Sequence, residues 1–256
     1  MLKQPLIIRF FDQSFRKGKG RLMMDLSQQV VLITGANRGL GKALAEVFVE
    51  HGAKVYAGAR KIQSVQLKNV IPIQLDVTDE QSIKEAAQIA DDVTIIVNNA
   101  GIMSKSTIGD LQVIEHEFMT NVAGPLKVTK AFSNIIERNG GGAVINILSA
   151  LSWLTLPGTA GYSMTKAAAW SMTNAMRIEL ANKNIHVAGV HVAFIDTDLA
   201  ASVTMPKMNP KDVANAVIEG LKNKQYEIIV DETTKQIQHG LAGGVEALYP
   251  QLKVSK

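Results

Sequence analysis

There is no cysteine anywhere in the 256 residues. Disulfides, thiolate metal sites and cysteine nucleophiles are therefore excluded, and the redox compartment leans to the cytosol. No apolar run is long enough to span a bilayer, so a cytoplasmic protein making no membrane contact is expected. The net charge is only +4. That suits an anionic cofactor but is too weak and dispersed for nucleic acid. The histidines (His51, His116, His186, His191 and His239) have no metal-ligand spacing, so no metal is expected and they read as surface or core residues. Internal repeats are absent as well.

What is present is ample core material. At 46% hydrophobic content, the length reads as one domain, residues 29–256. Residues 1–28 read as a basic leader without order: Lys3, Arg9, Arg16, Lys17, Lys19 and Arg21 stand against Asp12 and Asp25. An amphipathic membrane-surface segment and a true start at Met23 or Met24 are the other readings of that stretch. From Gln29 onward, strand-like and helix-like stretches alternate. That pattern predicts an α/β fold, a doubly wound (Rossmann) parallel sheet of about seven strands with helices on both faces. The strands are expected at 30–33, 54–57, 71–75, 93–97, 143–148, 185–192 and 227–230. Helices are expected at 42–51, 79–90, 107–138 (broken at Pro125), 159–182 and 211–222.

Two constellations carry chemistry. The first is Thr34-Gly35-Ala36-Asn37-Arg38-Gly39-Leu40-Gly41 between the first strand and the first helix. A glycine turn there lets backbone approach a pyrophosphate lying on the helix N-terminus. An acidic residue at the end of the second strand would take a ribose 2′-OH, but this chain has Gly58-Ala59-Arg60-Lys61. Arg60, joined by Arg38, is instead suited to a 2′-phosphate. The second constellation is Tyr162 and Lys166, with Ser149 and Asn121 upstream. Residues four apart share a helix face. An ammonium about 4 Å from the phenol, at an effective dielectric near 20, would contribute about 4 kcal/mol, lowering the phenol by about three pKa units. Pro125 lacks an N–H, which would free the carbonyl of residue 121 for a water.

Together these segments resemble the short-chain dehydrogenase/reductase family, in its form of about 250 residues, over roughly residues 29–250. Thr34 to Gly41 is similar to the family's T-G-x-x-x-G-x-G, and Asn98-Asn99-Ala100-Gly101 to its N-N-A-G. The resemblance implies a cofactor site of Gly35, Arg38, Gly39, Leu40, Gly41, Arg60, Asp76, Val77, Asn99, Ala100, Gly101, Tyr162, Lys166, Ile195 and Thr197. Asp76 would contact adenine, while Ile195 and Thr197 would bind the nicotinamide carboxamide. It implies a catalytic set of Asn121, Ser149, Tyr162 and Lys166, with Tyr162 as general acid or base. Ser149 would hydrogen-bond the substrate oxygen, Lys166 would hold the nicotinamide ribose, and Asn121 would hold a relay water. Trp153 is a candidate lining of the substrate pocket beside Ser149 and Tyr162, and ordinary packing explains it equally. The expected cofactor is NADP, and the expected activity is interconversion of a carbonyl and a secondary alcohol on a small molecule. The expected assembly is a homodimer or homotetramer. The alternative is a non-catalytic NADP(H)-binding sensor or scaffold on the same fold. One departure is Val192-Ala193, where the family usually has Pro-Gly. The segment Leu199 to Asn209 has the composition of a short mobile lid.

Overall fold

The computed structural model describes residues 24–201 and 203–252. Seven strands form one sheet: β1 (Val30–Thr34), β2 (Lys54–Ala59), β3 (Ile71–Gln74), β4 (Ile95–Asn98), β5 (Gly142–Ile147), β6 (Ile185–His191) and β7 (Glu227–Ile229). Their order is β3-β2-β1-β4-β5-β6-β7, and every pair is parallel. The helices are α1 (Gly39–Glu50), α2 (Glu80–Ile89), α3 (Leu111–Phe118), α4 (Gly124–Arg138), α5 (Ala160–Glu179), α6 (Pro210–Lys222), α7 (Glu232–Gly240) and α8 (Val245–Leu248).

A parallel sheet is covered on both faces, so its central strands carry continuous apolar runs. Val31, Leu32, Ile33, Ile95, Ile96 and Val97 are fully buried. Alternate residues of each strand feed opposite cores. On one face Ile33 and Val97 meet Leu44 and Phe48 of α1 and Val213 and Val217 of α6. On the other, Leu32 and Ile96 meet Ile83 of α2, Phe132 of α4 and Met176 of α5. Inside the second layer runs a polar ladder. The Asn98 amide donates to Asn146 Oδ1 at 2.8 Å, and the Asn146 amide to Thr173 Oγ1 at 2.9 Å. These bonds tie β4, β5 and α5 to one another.

Several expectations are corrected. The leader up to Met23 lies outside the described residues, but the folded body starts before Gln29. Asp25 caps a short 3-10 turn, Leu26–Gln28, and Leu26 is buried in the first core. The stretch expected as one helix over 107–138 begins only at Leu111, because the Asp110 carboxylate turns back to accept from the Thr107 N–H and hydroxyl. The break ahead of Pro125 takes the form of a π-helical turn, Met119–Ala123, in which the Gly124 N–H donates to Met119 O. Such turns recur at functional sites. The helices α7 and α8 have no counterpart in the sequence reading.

Sheet order reverses between β1 and β4, whose neighbours diverge to β2 and β5. In doubly wound sheets ligands bind at this switch point, beyond the carboxyl ends of the strands.

Candidate active site

The glycine turn leaves β1 with Gly35 at φ +67° and Gly39 at φ +54°, a region that non-glycine residues rarely adopt. Gly41 is required for a different reason. A Cβ there would lie 2.2 Å from Gly35 O, so only glycine lets α1 pack this close to the turn. The N-cap residue Arg38 makes no side-chain cap hydrogen bond. The N–H groups of the first turn thus have no capping side chain, as an anion-binding helix end requires. Leu40 points into the core.

Asn99 and Ala100 fasten this turn to β4. Their N–H groups donate to Thr34 Oγ1 at 3.0 and 2.9 Å, and the Asn99 amide donates to Thr34 O at 2.9 Å. Gly101 lies against Asn121. Asp76 accepts from the Thr78 N–H and hydroxyl. Burial alone would raise its carboxyl, but these donors and Arg60 hold it below the ordinary value. Val77 is buried against Gly124, where a Cβ would come within 2.8 Å of it, so its side chain serves helix packing. Arg60 is exposed at the end of β2. Arg38 forms an ion pair with Asp198 at 2.7 Å, the two side chains being 71% and 75% exposed. Thr197 comes close to Gly39, and Ile195 packs on the core, so the 195–198 segment faces the glycine turn. Where the family's Pro-Gly is missing, Val192 is buried and the Ala193 N–H donates to Asp231 at 2.8 Å. The segment expected as a lid is tied at its far end to 194–196, through Met208 N–H to Phe194 O and Asp196 N–H to Met208 O.

Tyr162, Lys166 and Ser149 are buried together. The Ser149 Oγ accepts from the Leu151 N–H at 3.1 Å, which leaves its own proton available to donate. Its side chain lies within hydrogen-bonding reach of the Tyr162 phenol. The expected lowering of that phenol by Lys166 is absent. Burial pushes the Tyr162 phenol well above its ordinary value and the Glu117 carboxylate adds to the rise, against which Ser149 acts. The cause is geometric. Residues 162 and 166 do share a helix face, but the ammonium lies over the ring, 5.5 Å from its centroid. There it donates to Ile147 O at 2.7 Å. Burial in turn pushes Lys166 down to about 8.

The Asn121 side chain is fully engaged. It accepts from the Ile102 N–H at 2.9 Å and donates to Ile102 O at 2.8 Å and to Thr165 Oγ1 at 3.0 Å. It therefore ties the loop after β4 to α5. Glu117, which the sequence reading missed, is 0% exposed. One of its oxygens accepts from the Ser104 N–H and the other has no partner. That second oxygen crowds Gly161, next to Tyr162. Trp153 is nearly buried, its ring stacked on His191 with centroids 4.0 Å apart, so packing accounts for its position. His191 also contacts Ser149 O and Glu227. Nothing in the sequence marked these two residues, since the pairing crosses two strands. Among the described residues, no cluster could hold a metal ion and no helix is long and apolar enough to cross a membrane.

A parallel sheet with a glycine turn at its switch point defines a dinucleotide-binding fold. The chain belongs to the short-chain dehydrogenase family, whose model matches residues 29–207. It is therefore an oxidoreductase of that family. An uncharacterized oxidoreductase of Staphylococcus aureus is 31% identical over 231 residues, covering 84% of this chain and 100% of the relative. A dehydrogenase/reductase SDR family protein 7-like of Drosophila melanogaster is 29% identical, covering 96% of this chain and 85% of that protein. Among solved structures, a short chain dehydrogenase from Burkholderia cenocepacia in complex with NADP superposes with a TM-score of 0.85 at 35% identity. It covers 91% of this chain and 100% of its own.

The buried ammonium has a consequence for stability. Between about 8 and the ordinary 10.5, the unfolded chain keeps a proton on Lys166 that the folded chain has released. Stability on this account rises with pH across that window. Lys166→Met removes the cost, and at about pH 7 it should stabilise the fold by on the order of 1–3 kcal/mol net of the lost bond to Ile147 O. The advantage should shrink by about pH 10. Urea unfolding of both proteins at the two pH values checks this, and a gap that ignores pH would refute it.

Proposed function

We propose that the chain is an NADP(H)-dependent reductase and dehydrogenase that interconverts a carbonyl and a secondary alcohol on a small molecule. The observation that carries this reading is the convergence of a buried phenol and a buried serine hydroxyl beside the switch point of a glycine-cradled sheet. The cradle suits a dinucleotide phosphate: positive-φ glycines, a helix N-terminus without a capping side chain, and two exposed arginines in place of the acidic residue. Bound there, the dinucleotide supplies or accepts the hydride.

The chain's own groups handle the oxygen and the proton. Ser149 donates its hydroxyl proton to the substrate oxygen and stabilises the charge that develops on it. Tyr162 delivers the proton in reduction and withdraws it in oxidation. A phenol kept protonated by burial has its proton in place to donate when a carbonyl is reduced. Lys166 holds the nicotinamide ribose, and Asn121 keeps the loop and α5 at fixed separation. Ile195 and Thr197 take the carboxamide. A sensor role has no use for a buried proton donor aimed at a ligand oxygen, which is why catalysis is preferred.

Leu126, Phe118, Met119 and Ile178 are exposed on α3, α4, α5 and the π-helical turn. We propose that they are covered by a second copy, in a homodimer or homotetramer. Light scattering at micromolar concentration should give at least twice the chain mass of 27.7 kDa, and a monomer would exclude the assembly.

Against a panel of aldehydes, ketones and steroids followed by NADPH absorbance, at least one compound should turn over. On that compound Tyr162→Phe should lose about 10²–10⁴-fold in kcat with cofactor affinity little changed. Near-parental turnover would remove Tyr162 from its role. Cofactor choice tests Arg60. Losing one charge-assisted hydrogen bond costs about 1.5–3 kcal/mol, so Arg60→Ala should weaken NADPH binding roughly 10- to 150-fold and leave NADH binding unchanged. Equal losses for both cofactors would show that Arg60 does not read the 2′-phosphate.

A further inference from the structure

His191 ends β6 and is 0% exposed. Its two ring nitrogens meet two different groups: Nδ1 lies 3.2 Å from Ser149 O, and Nε2 lies 2.9 Å from Glu227 Oε2. Both groups are acceptors. A backbone carbonyl has only lone pairs to offer, and an ionised carboxylate likewise. Glu227 is ionised. Burial acts to raise its carboxyl, but donation from His191, from Arg177 at 2.9 Å and from the Trp170 indole at 2.9 Å holds it at about 2. A neutral imidazole carries one N–H and one lone pair, so in either tautomer one nitrogen would press its lone pair against an oxygen. Only the doubly protonated ring donates to both.

The surroundings agree with a cation. The Trp153 ring stacks on His191 with an interplanar angle of 14°, as a cation over an aromatic face does. The charged groups around the imidazole are Glu227 from β7 and, beyond it, Arg177 from α5, whose guanidinium pairs with the same carboxylate. Glu227 thus stands between an imidazole and a guanidinium, and its two oxygens take three donors. Gly189 makes room for it, since a Cβ there would fall 2.9 Å from Glu227 Oε2.

We propose that His191 is a positioning residue carried as an imidazolium: clamped by Glu227, it grips the Ser149 carbonyl and so fixes the serine hydroxyl against the substrate oxygen. The other restraints on Ser149 are local. The Ser152 N–H donates to its carbonyl at 3.0 Å, its own N–H donates to Ser152 Oγ at 3.3 Å, and Leu151 donates to its Oγ. All three lie within one 3-10 turn, Ala150–Ser152. Backbone bonds from the Leu148 N–H to Val190 O at 2.8 Å and from the Ala150 N–H to Val192 O at 3.0 Å tie the flanking residues to the same stretch of chain, and His191 is the side chain from that stretch that reaches Ser149 itself. A buried positive charge beneath Ser149 also favours negative charge growing on the substrate oxygen above it.

The proposal rests on Ser149 acting on substrate, but its core is measurable without turnover. In ¹⁵N-histidine spectra of the full chain near neutral pH, one imidazole, identified by its loss in His191→Gln, should show protons on both ring nitrogens. Glu227→Gln should return that ring to a neutral form. A neutral His191 in the parent would overturn the inference whatever the enzyme's activity. On a substrate that the parent reduces, both His191→Gln and Glu227→Gln should lower kcat by about tenfold or more through misplacement of Ser149, while KM for NADPH stays within twofold. Should His191→Gln not fold, Glu227→Gln alone carries the kinetic test, and the imidazole is then identified as the one signal that Glu227→Gln alters. A parental kcat in the folded variants would overturn the positioning role. Failure of the parent on every carbonyl tested would count instead against the proposed reaction and leave the spectroscopic result standing.

Discussion

One buried hydroxyl holds the architecture of the site in place. Thr34 Oγ1 accepts from two successive N–H groups, those of Asn99 and Ala100, at the point where the sheet divides. Each donor left without it would cost about 1–3 kcal/mol. The loop that starts there then distributes the constraint. Ile102 is held by both ends of the Asn121 amide, whose nitrogen also reaches Thr165 on α5. Ser104 donates to Glu117, and Ser106 takes the Gly161 N–H at 3.0 Å. The glycine cradle and the helix bearing Tyr162 are thus fixed to each other through one short segment, with Asn121 as its central brace.

Around this brace the fold keeps polar and charged groups at considerable cost. Tyr162, Lys166, Glu117 and His191 are all nearly or fully buried. Isolated, each would be expelled or neutralised. The protein compensates unevenly: Glu227 and its three donors form a satisfied network, whereas one oxygen of Glu117 is orphaned and Lys166 has a single carbonyl. The uncompensated groups lie closest to Tyr162, the phenol assigned the proton transfer, as strain concentrated at a working site would.

How much of this was legible in the sequence follows from how local each cause is. The strands were readable because burial on both faces forces unbroken apolar runs, and the glycine turn because positive φ and close approach admit only glycine. Ser149, Tyr162 and Lys166 could be placed together from spacing and resemblance. The Tyr162–Lys166 energetics could not, because helical spacing says that two side chains share a face without saying where the charged atom points. Desolvation, which depends on the whole fold, instead dominates the phenol. Glu117 and the His191–Glu227 pair were invisible for a related reason: their partners are a backbone N–H, a backbone carbonyl and a residue on a neighbouring strand that is distant in sequence. The helix α7 escaped because it is mostly polar and exposed, and α8 because four residues are too few to show a helical period.

The exposed pair between Arg38 and Asp198 makes the two arginines unequal partners for a phosphate. Arg38 already has a carboxylate, so for it binding an anion is a swap of one oxygen ligand for another, with the released Asp198 left near the arriving charge. An exposed pair of this kind is worth at most about 1 kcal/mol and weakens further with salt, so the swap is easy but its net gain is small. Arg60, whose interaction with Asp76 is only electrostatic, has no hydrogen-bonded carboxylate to give up. Under the proposed reading, selectivity between phosphorylated and unphosphorylated riboses would therefore fall mainly on Arg60, and added salt would screen the contacts of both exposed arginines with a phosphate.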